Sequence, residues 1–279
     1  MRAAPCVAVF AAAVSSVVFA QQGYVDRMAH EHHGDTPVAT AQTAAEPARP
    51  VIAAVVTYAT VSGAPVQGYL ATPAGGQGPW PGLIVIHEWW GLNDNIRAMT
   101  RRLAGEGYAA LAVDLYGGKV VDTAEQARAA VQTSMESRAA NDENLRQAYG
   151  YLAEQRRAPK VGVIGWCFGG AHSLAAALLL PEQLDACVVY YGHLETDRTR
   201  LRTLGMPILG IFGAEDQGIP VAQVREFEAA LKELGKSVEV HVYEGAGHAF
   251  ANPSGTRYRP EAAADAWATT LAFLARHLK

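Results

Sequence analysis

Four side chains suited to acyl transfer stand at the ends of apolar runs in this chain. They are Glu88 in IVIHEWWG, Cys167 in VGVIGWCFGG, Asp216 in FGAEDQGIP and His248 in VYEGAGHAF. A thiolate attacks a carbonyl well when a neighbouring imidazole takes its proton and a carboxylate fixes that imidazole's tautomer. Taken alone, Cys167 reads as a small packing residue, Asp216 as a turn residue and His248 as an ordinary surface or core histidine. Together they occur in the order nucleophile, acid, histidine, each on a loop after its own strand. That order and context favour the catalytic reading.

The flanking residues say what must position them. Gly165, Gly169 and Gly170 surround Cys167, as a nucleophile on a strained strand-to-helix turn requires. The dipole and free N–H groups of the following helix favour thiolate over thiol. A tetrahedral oxyanion needs two donors. The N–H after the nucleophile, that of Phe168, is one, and that of Trp89, after the earlier strand, is the natural second.

Apolar strands alternate with amphipathic helices from Val51 onward. VVTYATV and VQGYLATP flank Ser62-Gly63-Ala64-Pro65 as a β-hairpin. GLIVIHE, AALAVDLY, VGVIGWC, ACVVYYG, PILGIFGAED and VEVHVYE read as strands. Helices are expected from Asn93 to about Gly105, from Thr123 to Gln155 with a break near Ser137 to Asn141, and from Phe168 to Leu180. Two more follow, from Val221 to Leu234 and from Pro260 to His277. Continuous apolar strands separated by helices predict an α/β class fold, a mostly parallel sheet with helices on both faces. Its sites form at the carboxyl ends of the strands, where the four residues lie. The order of the three triad residues is that of the α/β-hydrolase fold.

The 279 residues suffice for one large core. Lys and Arg total 23 against 27 for Asp and Glu, a formal charge of −4 without basic runs. There is no electrostatic footprint for nucleic acid, and a small-molecule partner is expected. Arg2, the apolar stretch Cys6–Ala20 and the small-residue pattern Val18-Phe19-Ala20 predict a signal peptide over 1–20, cleaved before Gln21. The stretch is shorter than the roughly 20 apolar residues of a membrane span. A periplasmic or secreted location follows, with no membrane association after cleavage. Residues 21–50 are rich in Ala, Thr, Pro and charge, and read as a flexible leader to a single domain over 51–279. Its HEHHGD tract gathers His30, His32 and His33 beside Glu31 and Asp35, and is expected as a solvated polar patch rather than a metal site. Cys187 lies in an apolar strand and is expected as a buried free thiol.

The chain resembles the dienelactone hydrolase (carboxymethylenebutenolidase) family, a cysteine-nucleophile branch of the α/β-hydrolases. The resemblance rests on VIHEWWGLND, VDLYGG, GWCFGG, VVYYG, GAEDQGIP and YEGAGHAFANP. It implies that Cys167, Asp216 and His248 form the triad, and that Glu88 contacts the nucleophilic thiol at rest and helps to activate it. A carboxylate can do this if desolvation raises its pKa. Family members that act on dienelactone hold its carboxylate with arginines, one after the DLY strand and one after the catalytic histidine. Here those places hold Gly117-Gly118 and Asn252, with Lys119 adjacent and Arg257 and Arg259 further along. Substrate contacts are expected from Trp90, Tyr116, Lys119, Phe250 and Asn252. The implied activity is hydrolysis of an ester or lactone through an acyl-thioester, without metal or organic cofactor. A thiol redox protein using Cys167 and a non-catalytic binding protein of the same fold are the alternatives. The residues leave the substrate, the oligomeric state and the leader's role open.

Overall fold

A computed structural model describes residues 23, 25–32, 34, 35, 37, 46–76 and 78–279. The signal-peptide region and His33 lie outside the described residues. Among these residues no helix is long and apolar enough to cross a membrane.

The first hairpin pairs β1 (Val51–Val61) with β2 (Ala64–Pro73) in antiparallel register. Ser62 and Gly63 both take positive φ in the tight turn, as the twist of a two-residue hairpin loop demands. The α/β alternation follows as expected: β3 (Gly82–Ile86), α1 (Asp94–Gly105), β4 (Ala109–Val113), α2 (Ala124–Glu136) and α3 (Arg138–Gly150). A π-helical turn at Tyr151–Gln155 ends that helical stretch, and its break falls at Ser137. Then come β5 (Val161–Trp166), α4 (Phe168–Leu179), β6 (Ala186–Tyr190), a short α5 (Arg198–Leu201) and β7 (Ile208–Gly213). The chain closes with α6 (Val221–Glu233), β8 (Val238–Tyr243) and α7 (Pro260–Leu278). The helix boundaries are chemical: the Asn93 side chain accepts from the Ile96 N–H, and Thr123 does the same for Gln126. Pro260 opens α7, where its missing N–H costs nothing.

One sheet runs in the order β1-β2-β4-β3-β5-β6-β7-β8, parallel from β4 to β8 and antiparallel at the hairpin edge. Strands β3 to β7 are buried throughout, which is why they read as unbroken apolar runs. The chain leaves β3 for β4 on one side and returns to β5 on the other. The topological switch therefore falls between β3 and β5. The loop bearing Glu88 and Trp89 and the turn bearing Cys167 lie at that switch.

Candidate active site

Cys167 sits between β5 and α4 with φ +56° and ψ −115°. A non-glycine residue there carries strain of about 1–3 kcal/mol. The surrounding backbone holds it in place: the Cys167 N–H donates to the Tyr190 carbonyl at 3.0 Å, and its own carbonyl accepts from Ala171 at 3.1 Å. The turn is possible only with small neighbours. A Cβ on Gly165 would strike the Gly169 carbonyl, and one on Gly169 would strike the carbonyls of Ile86 and His87. Gly169 thereby seats α4 on the loop that carries Glu88.

His248 lies on the turn after β8 and Asp216 on the turn after β7. The His248 Nδ1–H donates to Asp216 Oδ2 at 2.8 Å, and both side chains are inaccessible to solvent. The other Asp216 oxygen accepts from the Gly218 and Ile219 N–H groups at 2.8 and 2.9 Å. Asp216 is thus fixed by the backbone and in turn fixes the imidazole. His248 Nε2 is buried without a hydrogen-bond partner among the described residues and is the nitrogen left free to act on Cys167.

Glu88 is buried, with Oε2 accepting from Asn252 Nδ2 at 2.8 Å and Oε1 unpartnered among the described residues. Burial pushes its carboxyl up to about 8, and the charge of Cys167 adds to the shift. Burial opposes the Cys167 thiolate, yet the His248 and His32 imidazoles outweigh it and hold the thiol at about 6. Burial likewise opposes charge on His248, but Asp216 and Cys167 lift it well above its ordinary value. These shifts favour a thiolate–imidazolium pair beside a protonated carboxyl.

His87, also buried, organises the loop from below. Its Nδ1 bonds the Glu88 carbonyl at 2.6 Å while its Nε2 accepts from the Leu115 N–H at 3.2 Å, as in a neutral imidazole. Trp89 follows on this loop, and Phe168 opens α4, where the first-turn N–H groups have no intrahelical acceptor. The two expected oxyanion donors thus stand on the two elements that flank the nucleophile.

The expected substrate contacts separate. Trp90 packs edge-on to Trp89 at 5.1 Å and to His32 at 5.9 Å. Tyr116 is in the core, its ring against His87 and Phe168 at 4.7 and 5.2 Å. Phe250 is fully buried between Tyr191 and Tyr243, at 5.6 and 5.2 Å. The Asn252 amide is committed to Glu88. Lys119 is exposed and lines a wide cavity over Tyr116, Gly117 and Gly118. A smaller cavity of about 250 Å³ borders the site at Glu88, Tyr191 and Asn252, with Met99, Arg102 and Trp267 on its other walls.

The leader departs from expectation. Half of the HEHHGD tract is not solvated: Glu31, His32 and Asp35 are buried, His32 to 1 % exposure, while His30 and Gly34 are exposed. Residues 25–31 are helical, and Val25 and Met28 bury their side chains in the main core. Met28 packs onto Gly218, beside Asp216. Asp35 accepts from the Thr256 N–H and hydroxyl at 2.9 and 2.6 Å, and Glu31 pairs with Arg257 at 3.4 Å. These contacts deliver His32 to the nucleophile. Its ring lies 4.5 Å from Trp89 and 5.3 Å from His248, and its Nε2 is 3.8 Å from Cys167 Sγ. The sequence carried a signal for this: Val25, Met28, Ala29 and His32 recur at the i, i+3, i+4, i+7 spacing of a helix with one buried face.

Comparison with known proteins agrees with this architecture. The dienelactone hydrolase family profile matches residues 66–278. Protein usf of Aquifex pyrophilus is 36 % identical over 224 residues, spanning 78 % of this chain and 96 % of its own. A protein named as a candidate carboxymethylenebutenolidase, from Aquifex aeolicus, is 31 % identical over 227 residues, spanning 78 % and 96 %. The crystal structure of a candidate dienelactone hydrolase from Klebsiella pneumoniae superposes with a TM-score of 0.72 at 29 % identity, covering 82 % of this chain and all of that one. With its eight-stranded sheet and helices, the chain belongs to the dienelactone hydrolase family of α/β-hydrolase-fold enzymes.

Proposed function

We propose that the protein hydrolyses a carboxylic ester or lactone with Cys167 as the nucleophile. One observation carries the reading: a buried thiol on a strained elbow, next to an imidazole whose far nitrogen is fixed by a backbone-anchored carboxylate. Cys167 Sγ attacks the carbonyl carbon, and the Trp89 and Phe168 N–H groups receive the developing oxyanion. His248 protonates the departing alkoxide as the thioester forms. It then takes a proton from water, which attacks the thioester and returns the thiol. Asp216 keeps the imidazole in the tautomer both half-reactions use. Glu88, held by Asn252, releases its proton to solvent as substrate enters and, as a carboxylate, takes the proton of any Cys167 still present as thiol. Entry requires the leader to lift His32 from Cys167.

The signal-peptide pattern over 1–20 supports action outside the cytoplasm. A redox role with Cys187 as resolving thiol is disfavoured by register. Val163 pairs with Cys187, and Cys167 lies four residues beyond Val163 along the neighbouring strand. That is about 13 Å at 3.3 Å per residue, beyond the ~7 Å limit between Cα atoms for a disulfide. Cys167→Ala tests the proposal: hydrolysis of activated esters is expected to vanish with the fold intact by circular dichroism. Undiminished turnover would overturn it. A panel of neutral and anionic esters and lactones tests whether the absence of arginine at Gly118 and Asn252 moves the preference to neutral substrates.

A further inference from the structure

The leader does more than cover the nucleophile. A ring nitrogen of His32, a ring nitrogen of His248 and Cys167 Sγ all lie within 4.8 Å of one another, and all three residues are buried. In both histidines Nδ1 is bonded to a carboxylate at 2.8 Å, Asp35 for His32 and Asp216 for His248. That leaves both Nε2 atoms for the sulfur side. Each carboxylate is itself anchored, Asp35 by Thr256 and Asp216 by Gly218 and Ile219. Carboxylate-backed imidazoles with a free Nε2 are what metal sites use to orient histidine ligands and raise their basicity. The buried Nε2 of His248 has no other partner among the described residues.

We propose that His32, Cys167 and His248 form a binding site for a thiophilic divalent cation of the zinc type, supplied jointly by the leader and the catalytic centre. The distances fit. Bonds of about 2.3 Å to sulfur and about 2.0–2.1 Å to nitrogen at tetrahedral angles place the two ligand atoms about 3.5 Å apart. The observed separation of Cys167 Sγ and His32 Nε2 is 3.8 Å, and all three ligand atoms lie within 4.8 Å of one another, so the site closes with shifts of about 1 Å or less. One thiolate and two imidazoles suit zinc over calcium or magnesium, which take oxygen ligands. The ion binds the thiolate and the two neutral imidazoles, releases to solvent the protons that their Nε2 atoms carry, and leaves a fourth position open. Such an ion is an inhibitor rather than a cofactor: it occupies the nucleophile and its base together and ties the leader down over both. Removing it leaves the leader held by its own contacts at Thr256, Arg257 and the core.

The proposal rests on the geometry of the triad and adds a ligand to it, so its test separates metal binding from hydrolysis. The purified chain with its leader intact is stripped with a chelator and titrated with zinc chloride against a competing indicator. The expected result is one zinc per chain, with affinity falling at least 100-fold in His32→Ala and 10–100-fold in Asp35→Asn, the usual cost of losing a carboxylate behind a ligand. Zinc is also expected to protect Cys167 from iodoacetamide in the parent but not in His32→Ala. Absence of stoichiometric binding overturns the proposal, and so does equal affinity in parent and His32→Ala. Ester turnover by the metal-free parent chain, with all its residues intact, reads the hydrolase assignment independently of zinc binding.

Discussion

Replacing Asp216 with Asn probes the triad with almost no change of shape. Asp216 accepts three hydrogen bonds, two from the Gly218 and Ile219 N–H groups and one from His248 Nδ1–H. An asparagine can keep its oxygen on the two backbone donors. Its amide N–H group must then face His248 Nδ1, which can only accept, and the ring proton moves to Nε2. That nitrogen points toward Cys167 and can no longer take a proton from thiol or water. The comparable change in a serine triad removes about four decades of rate. Here the thiol retains some intrinsic reactivity, so a loss of about 10³-fold in kcat/KM is expected, about 4 kcal/mol at 1.36 kcal/mol per decade. The same swap removes the charge that keeps His248 positive and the Cys167 thiol at about 6. A thiol returned to the ordinary value near 8.5 is about 3 % ionised at pH 7 against about 90 % in the parent, so alkylation slows about 30-fold. The assays are hydrolysis of p-nitrophenyl acetate and the pH profile of iodoacetamide labelling, both compared with the parent chain. A rate loss below tenfold with an unchanged labelling profile would refute the assigned roles.

Glu88→Gln is expected to lower kcat/KM by roughly 10²-fold, in the range of lost acid–base assistance. It should also change how stability depends on pH. Glu88 holds its proton up to about 8 when folded, against an ordinary value of 4.5, so the native state binds a proton that the unfolded chain has released. Stability contributed by this group therefore falls as pH rises from about 4.5 to about 8. The Tm of Glu88→Gln should gain on the parent across that window and run parallel above it; parallel curves throughout would contradict the burial argument. Cys187→Ala is expected to leave ester turnover unchanged, since its thiol only meets the Ser173 carbonyl in the core. Its stability should fall by about 1 kcal/mol in urea titrations. Loss of turnover in that variant would revive a paired-thiol chemistry.

The strand ends were legible because burial on both faces leaves β3, β5 and β7 with no polar residue until the sheet ends. A Cys, an Asp, a Glu or a His just beyond such a run must therefore sit at the rim of the sheet. The glycines around Cys167 were legible for a steric reason: only a close approach such as Gly169 to the Ile86 carbonyl demands so many small residues in so short a turn. Tyr116 and Phe250 were harder, because an aromatic side chain after a strand turns either into the core or toward a ligand, and local sequence does not choose. Asn252 looked like a position vacated by an arginine, whereas its amide supports Glu88 across 164 residues of chain. His32 was hidden most deeply. Its tract is polar, and what buries it is a surface at Thr256 and Arg257 more than 200 residues away. The apolar face of Val25, Met28 and Ala29 was the one local sign that the leader packs.

The central claim, covalent catalysis by Cys167, is tested most directly by trapping the intermediate. The chain is mixed with a slowly deacylating activated ester, quenched in acid during steady turnover, digested and analysed by mass spectrometry. The expected result is one acyl group per chain on the peptide carrying Cys167, released by hydroxylamine as a thioester would be. An acyl group on any other residue, or sustained turnover with Cys167 unmodified and replaceable by alanine, would contradict it.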